Sequence, residues 1–303
     1  MIKSCVTLKQ LEAFAYVVDT GTFRAAATAL GTTQPNISAR IAVLESVLDV
    51  TLLYRDAGSV RLTAKGRALL AQTREVLRAG EALIEAAGRQ DMIEERLRLG
   101  VTELVACTWL QAFLRALKQE YPNLRVELTV DLSSRIDEQL QEGELDLAIQ
   151  NGPFKSELEG TRELAREAYV WVANAATAAT LSKGDSVERF FAAAVLTHAK
   201  HTDAGRALHA MAAERGLDTE RIVHSNALSA CIPMAREGLG IGLLPRSLVQ
   251  AEITSGALLV QHSDWHIDPL RFFARFDAER TPRFVRRACE IAHDLRPPEH
   301  RKN

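Results

Sequence analysis

The sequence predicts an α/β protein in three parts: a helical N-terminal head closed by a β-hairpin, a long linker helix, and a body of two α/β lobes. Three observations predict it. Residues 22–45 write two short helices around a glycine turn. Residues 63–87 carry Leu70, Leu77 and Ile84 seven apart, a heptad row. Beyond residue 97, short apolar runs alternate with helical patterns at the spacing of strand–helix–strand units. The expected divisions are 1–62, 63–90 and 91–303, with lobe one over about 97–163 and 266–295 and lobe two over about 164–265.

In the head, Leu8, Leu11, Phe14 and Val18 stripe a first helix over 8–20, which Gly21 stops. Phe23, Ala26, Ala27 and Leu30 give the second helix one apolar face, and Gly31 follows where a left-handed stop belongs. Thr33 is placed to cap a third helix, and Pro35 sits in its first turn, where a missing N–H costs nothing. Ile37, Ile41 and Leu44 form the buried stripe of that helix. Gln34, Asn36, Ser38 and Arg40 lie opposite, short or forked groups that reach base edges and phosphates. Helix, glycine turn and polar-faced helix together have the form of a DNA-reading helix-turn-helix, although alanine-rich helical pairs with a glycine turn occur in other folds too.

Residues 52–63 read as two short strands around an Asp-Ala-Gly-Ser turn, a wing. Arg55 and Arg61 flank the turn, either along a phosphate backbone or as solvated arginines. Arg24, Thr63 and Lys65 complete the expected DNA contacts. The long helix starts at Thr63. Its heptad row, with Leu69, Val76 and Leu83 beside it, suits pairing with a second copy, the alternative being a helix packed on its own body.

Charge agrees with a nucleic-acid head on an acidic body. The first 90 residues hold 11 Lys and Arg against 8 Asp and Glu, whereas the whole chain is net −2. A hydrophobic fraction of 47% with 25% charged residues reads as soluble and globular. No apolar run approaches the ~20 residues that span a bilayer, and the N-terminus does not read as a secretory signal, so a cytoplasmic location without membrane contact is expected. Cys5, Cys107, Cys231 and Cys289 are far apart without CxxC spacing, which suits reduced, mostly buried thiols. No catalytic constellation, cofactor motif or metal-ligand set is read. His198-Ala-Lys-His201 lacks an evident third ligand, and Gly238-Leu-Gly-Ile-Gly242 leads into a strand instead of from strand to helix.

In the body, strands are expected at 97–101, 124–130, 146–150, 169–173, 194–197, 221–224, 241–244 and 271–276. The main helices fall at about 105–120, 134–142, 204–215, 228–237 and 283–295, with the chain crossing between lobes near 160–166 and a frayed tail from Arg296. This alternation implies parallel, doubly wound sheets. Ligands bind beyond the carboxyl ends of parallel strands. There the sequence places Thr102, Glu103 and Leu104, Ser133 and Ser134, Gln150 and Asn151, His201 and Thr202, and Ser225 and Asn226. Hydroxyls, amides and helix N–H groups suit a small anion, a carboxylate above all.

Residues 8–66 resemble the winged helix-turn-helix of LysR-type transcriptional regulators. The matching pieces are Leu-x-x-Phe over 11–14, Gly-Thr-Phe at 21–23, Ala-Ala-x-x-Leu at 26–30, Thr-Gln-Pro-Asn-Ile-Ser at 33–38, Ile-Ala-Val-Leu-Glu at 41–45, Leu-Leu-Tyr-Arg at 52–55 and Leu-Thr-x-x-Gly at 62–66. Glu-Gly-Glu-Leu-Asp-Leu-Ala-Ile at 142–149 and Glu-Gly-Leu-Gly-Ile-Gly-Leu-Leu-Pro at 237–245 extend the resemblance over nearly the whole chain. Ala39 stands where the family usually has Arg, Asp49 where it has Gly and Leu53 where it has Phe. The resemblance implies a periplasmic-binding-protein-like effector domain with a small-molecule effector between its lobes, and a pair of dimers. It also implies double-stranded operator or promoter DNA and RNA polymerase as partners, and no enzymatic activity. The alternative is a two-lobed solute-binding or enzymatic protein whose N-terminal helices serve assembly.

Overall fold

The computed structural model describes residues 6–56, 59–93 and 95–295. The Ala57-Gly58 turn, Cys5, the tail from Arg296 and the side chain of Arg55 lie outside the described residues. The head comprises α1 (Leu8–Thr20), α2 (Phe23–Ala29), α3 (Gln34–Leu48) and a hairpin of β1 (Leu53–Asp56) with β2 (Ser59–Leu62). Phe14, Ala26, Ile37, Ile41 and Leu44 meet in one core. Gly31 takes a φ of +59° after α2, a conformation glycine adopts without a Cβ clash. Glu45 accepts from Leu52 N at 2.7 Å and Leu53 N at 3.3 Å, so α3 seats the first wing strand.

The linker helix α4 (Ala64–Ala86) begins at Thr63. A Cβ on Gly66 would stand 2.1 Å from Leu52 O, so this glycine lets the helix start tuck against the chain entering the wing. Leu70 and Leu77 pack into the head core, and Ile84 packs against the core of the first lobe. That heptad row therefore contributes to the chain's own packing, with Leu70 buried and Leu77 and Ile84 half-buried. The large apolar residues of α4 left in solvent are Val76, 48% exposed, and Leu83, 73% exposed, from the adjacent row.

The first lobe runs β3 (Arg96–Val101), α5 (Glu103–Thr108), α6 (Leu110–Glu120), β4 (Arg125–Val130), α7 (Ser133–Gln141), β5 (Leu147–Asn151) and β6 (Gly160–Glu167). The second runs β7 (Tyr169–Ala173), α8 (Ala175–Thr180), β8 (Val195–His198), α9 (Asp203–Glu214), β9 (Ile222–Ser225), α10 (Cys231–Arg236), β10 (Ile241–Pro245), α11 (Gln250–Ser255) and β11 (Leu259–Gln261). The chain then returns as β12 (Leu270–Phe276) and α12 (Arg283–Asp294). Where one helix was expected over 105–120, α5 and α6 meet at Trp109. Thr108 Oγ1 donates to Leu104 O at 2.5 Å there, back-bonding of the kind that bends helices.

The sheet orders are β4-β3-β5-β12-β6 and β11-β7-β10-β8-β9. Both are mixed, not wholly parallel. β3 is parallel to β4 and β5, and β8 to β9 and β10. β12 is antiparallel to β5 and β6, and β7 to β10 and β11. β7 and β12, the first strands after the two crossings, run against the others, whereas β6 and β11, the last before them, run with β5 and β10. β6, read from sequence as a crossing, is an edge strand whose exposed Thr161, Arg162 and Arg166 hide its period.

The linker helix docks on the first lobe through α12. Glu81 accepts from Arg283 N at 2.6 Å, and Glu85 pairs with Arg283 at 2.9 Å and accepts from Tyr121 Oη at 3.3 Å. Nearby, Tyr16 Oη donates to Glu95 at 2.8 Å.

Candidate functional site

The DNA-facing candidates gather at the start of α3. Thr33, Gln34, Pro35 and Asn36 are exposed, and Ser38 and Arg40 are half-buried one turn on. Thr33 occupies the cap position but makes no side-chain capping bond. Asn36 Nδ2 donates to Thr32 Oγ1 at 3.2 Å. Arg61 and Lys65 are exposed on the wing and at the linker start. Arg24, also exposed, lines with Arg96 an open concavity of about 460 Å³ between α2 and β3. Thr63 does not belong with them. It is buried, its hydroxyl accepting from Gly66 N at 2.8 Å and donating to Thr51 O at 2.7 Å, so it caps α4 and cannot reach a phosphate.

In the body, the carboxyl ends of β4, β3 and β5 bring Ser133, Thr102, Gln150 and Asn151 to one edge of the first sheet. Across from them, His198 and Ser225 are register partners at the ends of β8 and β9. Several of these side chains are already occupied. Leu104 is buried in the first-lobe core. Gln150 is fully buried, and the orientation of its amide that satisfies both ends donates to Ser133 O at 2.8 Å and accepts from Arg275 Nη1 at 3.1 Å. It belongs to a polar cluster in which Arg275 pairs with buried Asp137 and lies 3.8 Å from the centre of the Phe154 ring. Thr202 caps α9, donating to Ala199 O at 2.7 Å and accepting from Gly205 N at 3.2 Å. Ser225 closes a local turn with Ala227, and Ser133 Oγ donates to Asn151 O. Their place at strand ends suits ligand contact, but the side chains of Leu104, Gln150, Thr202 and Ser225 are spent on packing, pairing and capping.

Glu103 departs furthest from expectation. Its Oε2 accepts from Leu228 N at 2.6 Å, and its Oε1 accepts from Ser229 N at 3.3 Å and Ser229 Oγ at 2.6 Å. The carboxylate thus holds the other lobe instead of standing open to a ligand. Leu228 and Ser229 carry no sequence signal for this role, because their contribution is mostly backbone N–H. Burial holds the nearby His198 ring below its usual range, and the Glu103 charge opposes that shift. Among the candidates, Ser134, His201 and Asn226 are exposed, while Asn151 is half-buried and its Nδ2 donates to Gly152 O at 3.3 Å. Thr102 is 8% exposed, and its hydroxyl has no hydrogen-bond partner among the described residues.

A winged helix-turn-helix joined by a long helix to two α/β lobes defines a class of DNA-reading proteins with a hinged sensory body. The comparisons agree. Residues 8–67 match the bacterial regulatory helix-turn-helix of the lysR family, and residues 90–294 match the LysR substrate binding domain. The chain belongs to the LysR family of transcriptional regulators. It is 31% identical, over 84% of its length and 82% of the relative's, to a probable hydrogen peroxide-inducible genes activator of Streptomyces viridosporus. It is 28% identical to the transcriptional regulator CzcR of Bacillus thuringiensis strain Al Hakam, over 81% of this chain and 80% of that one. Its fold is similar to that of ArgP from Mycobacterium tuberculosis, with a TM-score of 0.61, 21% identity and coverage of 97% and 98% of the two chains. CbnR, a LysR family transcriptional regulator, aligns with a TM-score of 0.52, 20% identity and coverage of 95% and 100%. No helix among the described residues is long and apolar enough to cross a membrane.

Proposed function

We propose that this regulator binds operator or promoter DNA as an assembly of identical chains and that a small carboxylate-bearing effector in the interlobe cleft alters that binding or the resulting activation. The observation that carries the effector half is Thr102. A buried hydroxyl without a partner is costly, and this one sits at the carboxyl end of a central parallel strand, beside the first turn of α5. A ligand oxygen there would satisfy it, with Ser134, Asn151, His201 and Asn226 as further contacts. The DNA half is supported by the exposed row of Thr33, Gln34, Pro35 and Asn36 at the start of α3, with Arg24, Ser38, Arg40, Arg61 and Lys65 as further contacts and Arg55 in the first wing strand. A second copy of the chain and, at a promoter, RNA polymerase are the macromolecular partners, in the cytoplasm.

Cys231 and Cys289 are buried, and burial raises their thiol pKa, which favours a ligand-responsive body over a thiolate sensor at those two positions; Cys107 is exposed. The test is a gel shift with the DNA upstream of the chain's own gene, followed by a screen of genomic fragments. A retarded band that tightens or loosens with candidate carboxylates is the expected result. Absence of binding to every fragment would overturn the reading.

A further inference from the structure

The two lobes are joined by two chain crossings, near residue 168 and over residues 262–269. Arg246 N donates to Ala168 O at 2.9 Å, and Ser247 N donates to Glu167 Oε1 at 2.8 Å, so these bonds lie at the first crossing. A body hinged in this way is free to open unless something holds the lobes together away from the crossings. Leu248, next to the first crossing, packs against the cores of both lobes, and Glu103 adds a polar hold. Its carboxylate, at the first residue of α5, makes three hydrogen bonds to Leu228 and Ser229, 125 and 126 positions along the chain. Leu228 is itself a buried member of the second-lobe core. Charge-assisted bonds of this kind are about twice as strong as neutral ones. Among the described residues, no lysine or arginine pairs with the Glu103 carboxylate.

We infer that Glu103 is an interlobe latch, which holds the effector-free body closed on its own carboxylate and so sets the unstimulated state of the regulator. The chemistry is that of a built-in carboxylate seated on N–H groups and a hydroxyl of the opposite lobe. An entering ligand that needs those donors must displace Glu103, and one that leaves them alone must fit around it. Either way the latch weights the closed arrangement, and removing it shifts the population between arrangements without any ligand. The transcriptional part of this inference rests on the regulator reading above; the mechanical part does not.

The experiment uses the full-length chain without added effector, as wild type, Glu103→Gln, Glu103→Ala and Ser229→Ala. Hydrogen–deuterium exchange reads the 228–230 amides, with β8 and β10 as internal controls. Glu103→Ala is expected to accelerate exchange at 228–230 on the order of tenfold, leaving the control strands unchanged. Glu103→Gln keeps the side-chain volume but turns an N–H donor toward an N–H donor, so it should show an intermediate effect and guards against simple misfolding. A reporter driven by the DNA fragment that wild type binds should shift its effector-free output by roughly threefold, in one direction for all three variants. Unchanged exchange at 228–230 in both Glu103 variants overturns the latch. Faster exchange with wild-type reporter output reduces Glu103 to a structural cap and overturns its regulatory role. Failure of wild type to bind any genomic fragment overturns the regulator reading and the transcriptional half with it, while the exchange result stands on its own.

Discussion

At the scale of single residues, one departure from the family pattern has a physical reading. Asp49 ends α3 in the left-handed region, with φ 50° and ψ 46°, which is why glycine is usual there. Aspartate tolerates that region better than most residues but still carries a Cβ penalty. Asp49→Gly is therefore expected to stabilise the head by roughly 0.5–1 kcal/mol, read as a higher denaturant midpoint; a lower midpoint would refute the strain. The DNA contacts divide by chemistry. Lys65→Ala should weaken binding on every sequence and flatten the salt dependence by about one unit. Gln34→Ala should instead cost ~1–3 kcal/mol on the operator and little on random DNA. Equal losses of Gln34→Ala affinity on both would remove it from the base contacts.

Among the elements, α4 both carries the head and docks on the first lobe, and its docking is proton-sensitive. Glu81 has its pKa pushed up to about 7, chiefly by burial, with Glu95 and Glu85 adding and the N–H and charge of Arg283 opposing. Glu95, bonded to Tyr16, is likewise raised by burial. A raised pKa means that the docked state holds its proton more tightly than the freed helix. The proton-dependent part of docking is thus complete below the ordinary value of 4.5 and lost as pH rises through about 7. Amide exchange at the start of α12 should accelerate between about pH 4.5 and about pH 7 beyond the intrinsic rate increase and follow the intrinsic rate above that, and Glu81→Gln should flatten the excess. An identical excess in Glu81→Gln would assign the effect elsewhere.

At the scale of the whole molecule, assembly turns on which face of α4 is left over. Leu70 is buried and Leu77 and Ile84 are half-buried against the chain's own cores, while Val76 and Leu83 stand in solvent seven residues apart. Leu83→Asp should leave the monomer folded but lower the sedimentation coefficient by burying a charge at the interface between copies. Leu77→Asp should instead lower the stability of the head itself. Unchanged sedimentation of Leu83→Asp, together with retained DNA binding, would exclude this row as the contact.

Local signals determined much of this protein: the helix periods of the head, the helix start at Thr63, the glycine stop at Gly31 and the strand–helix alternation of the body. Each depends on residues within a few positions of one another, so sequence alone carries it. Tertiary structure decided which heptad row is buried, that β6 is an edge strand, and that Gln150 serves Arg275. It also decided that Glu103 belongs to the opposite lobe. A strand end shows where a polar side chain begins, but the donor that meets Glu103 is a backbone N–H 125 residues away. Every residue except proline has such an N–H, so only the approach of the two lobes could single out this one.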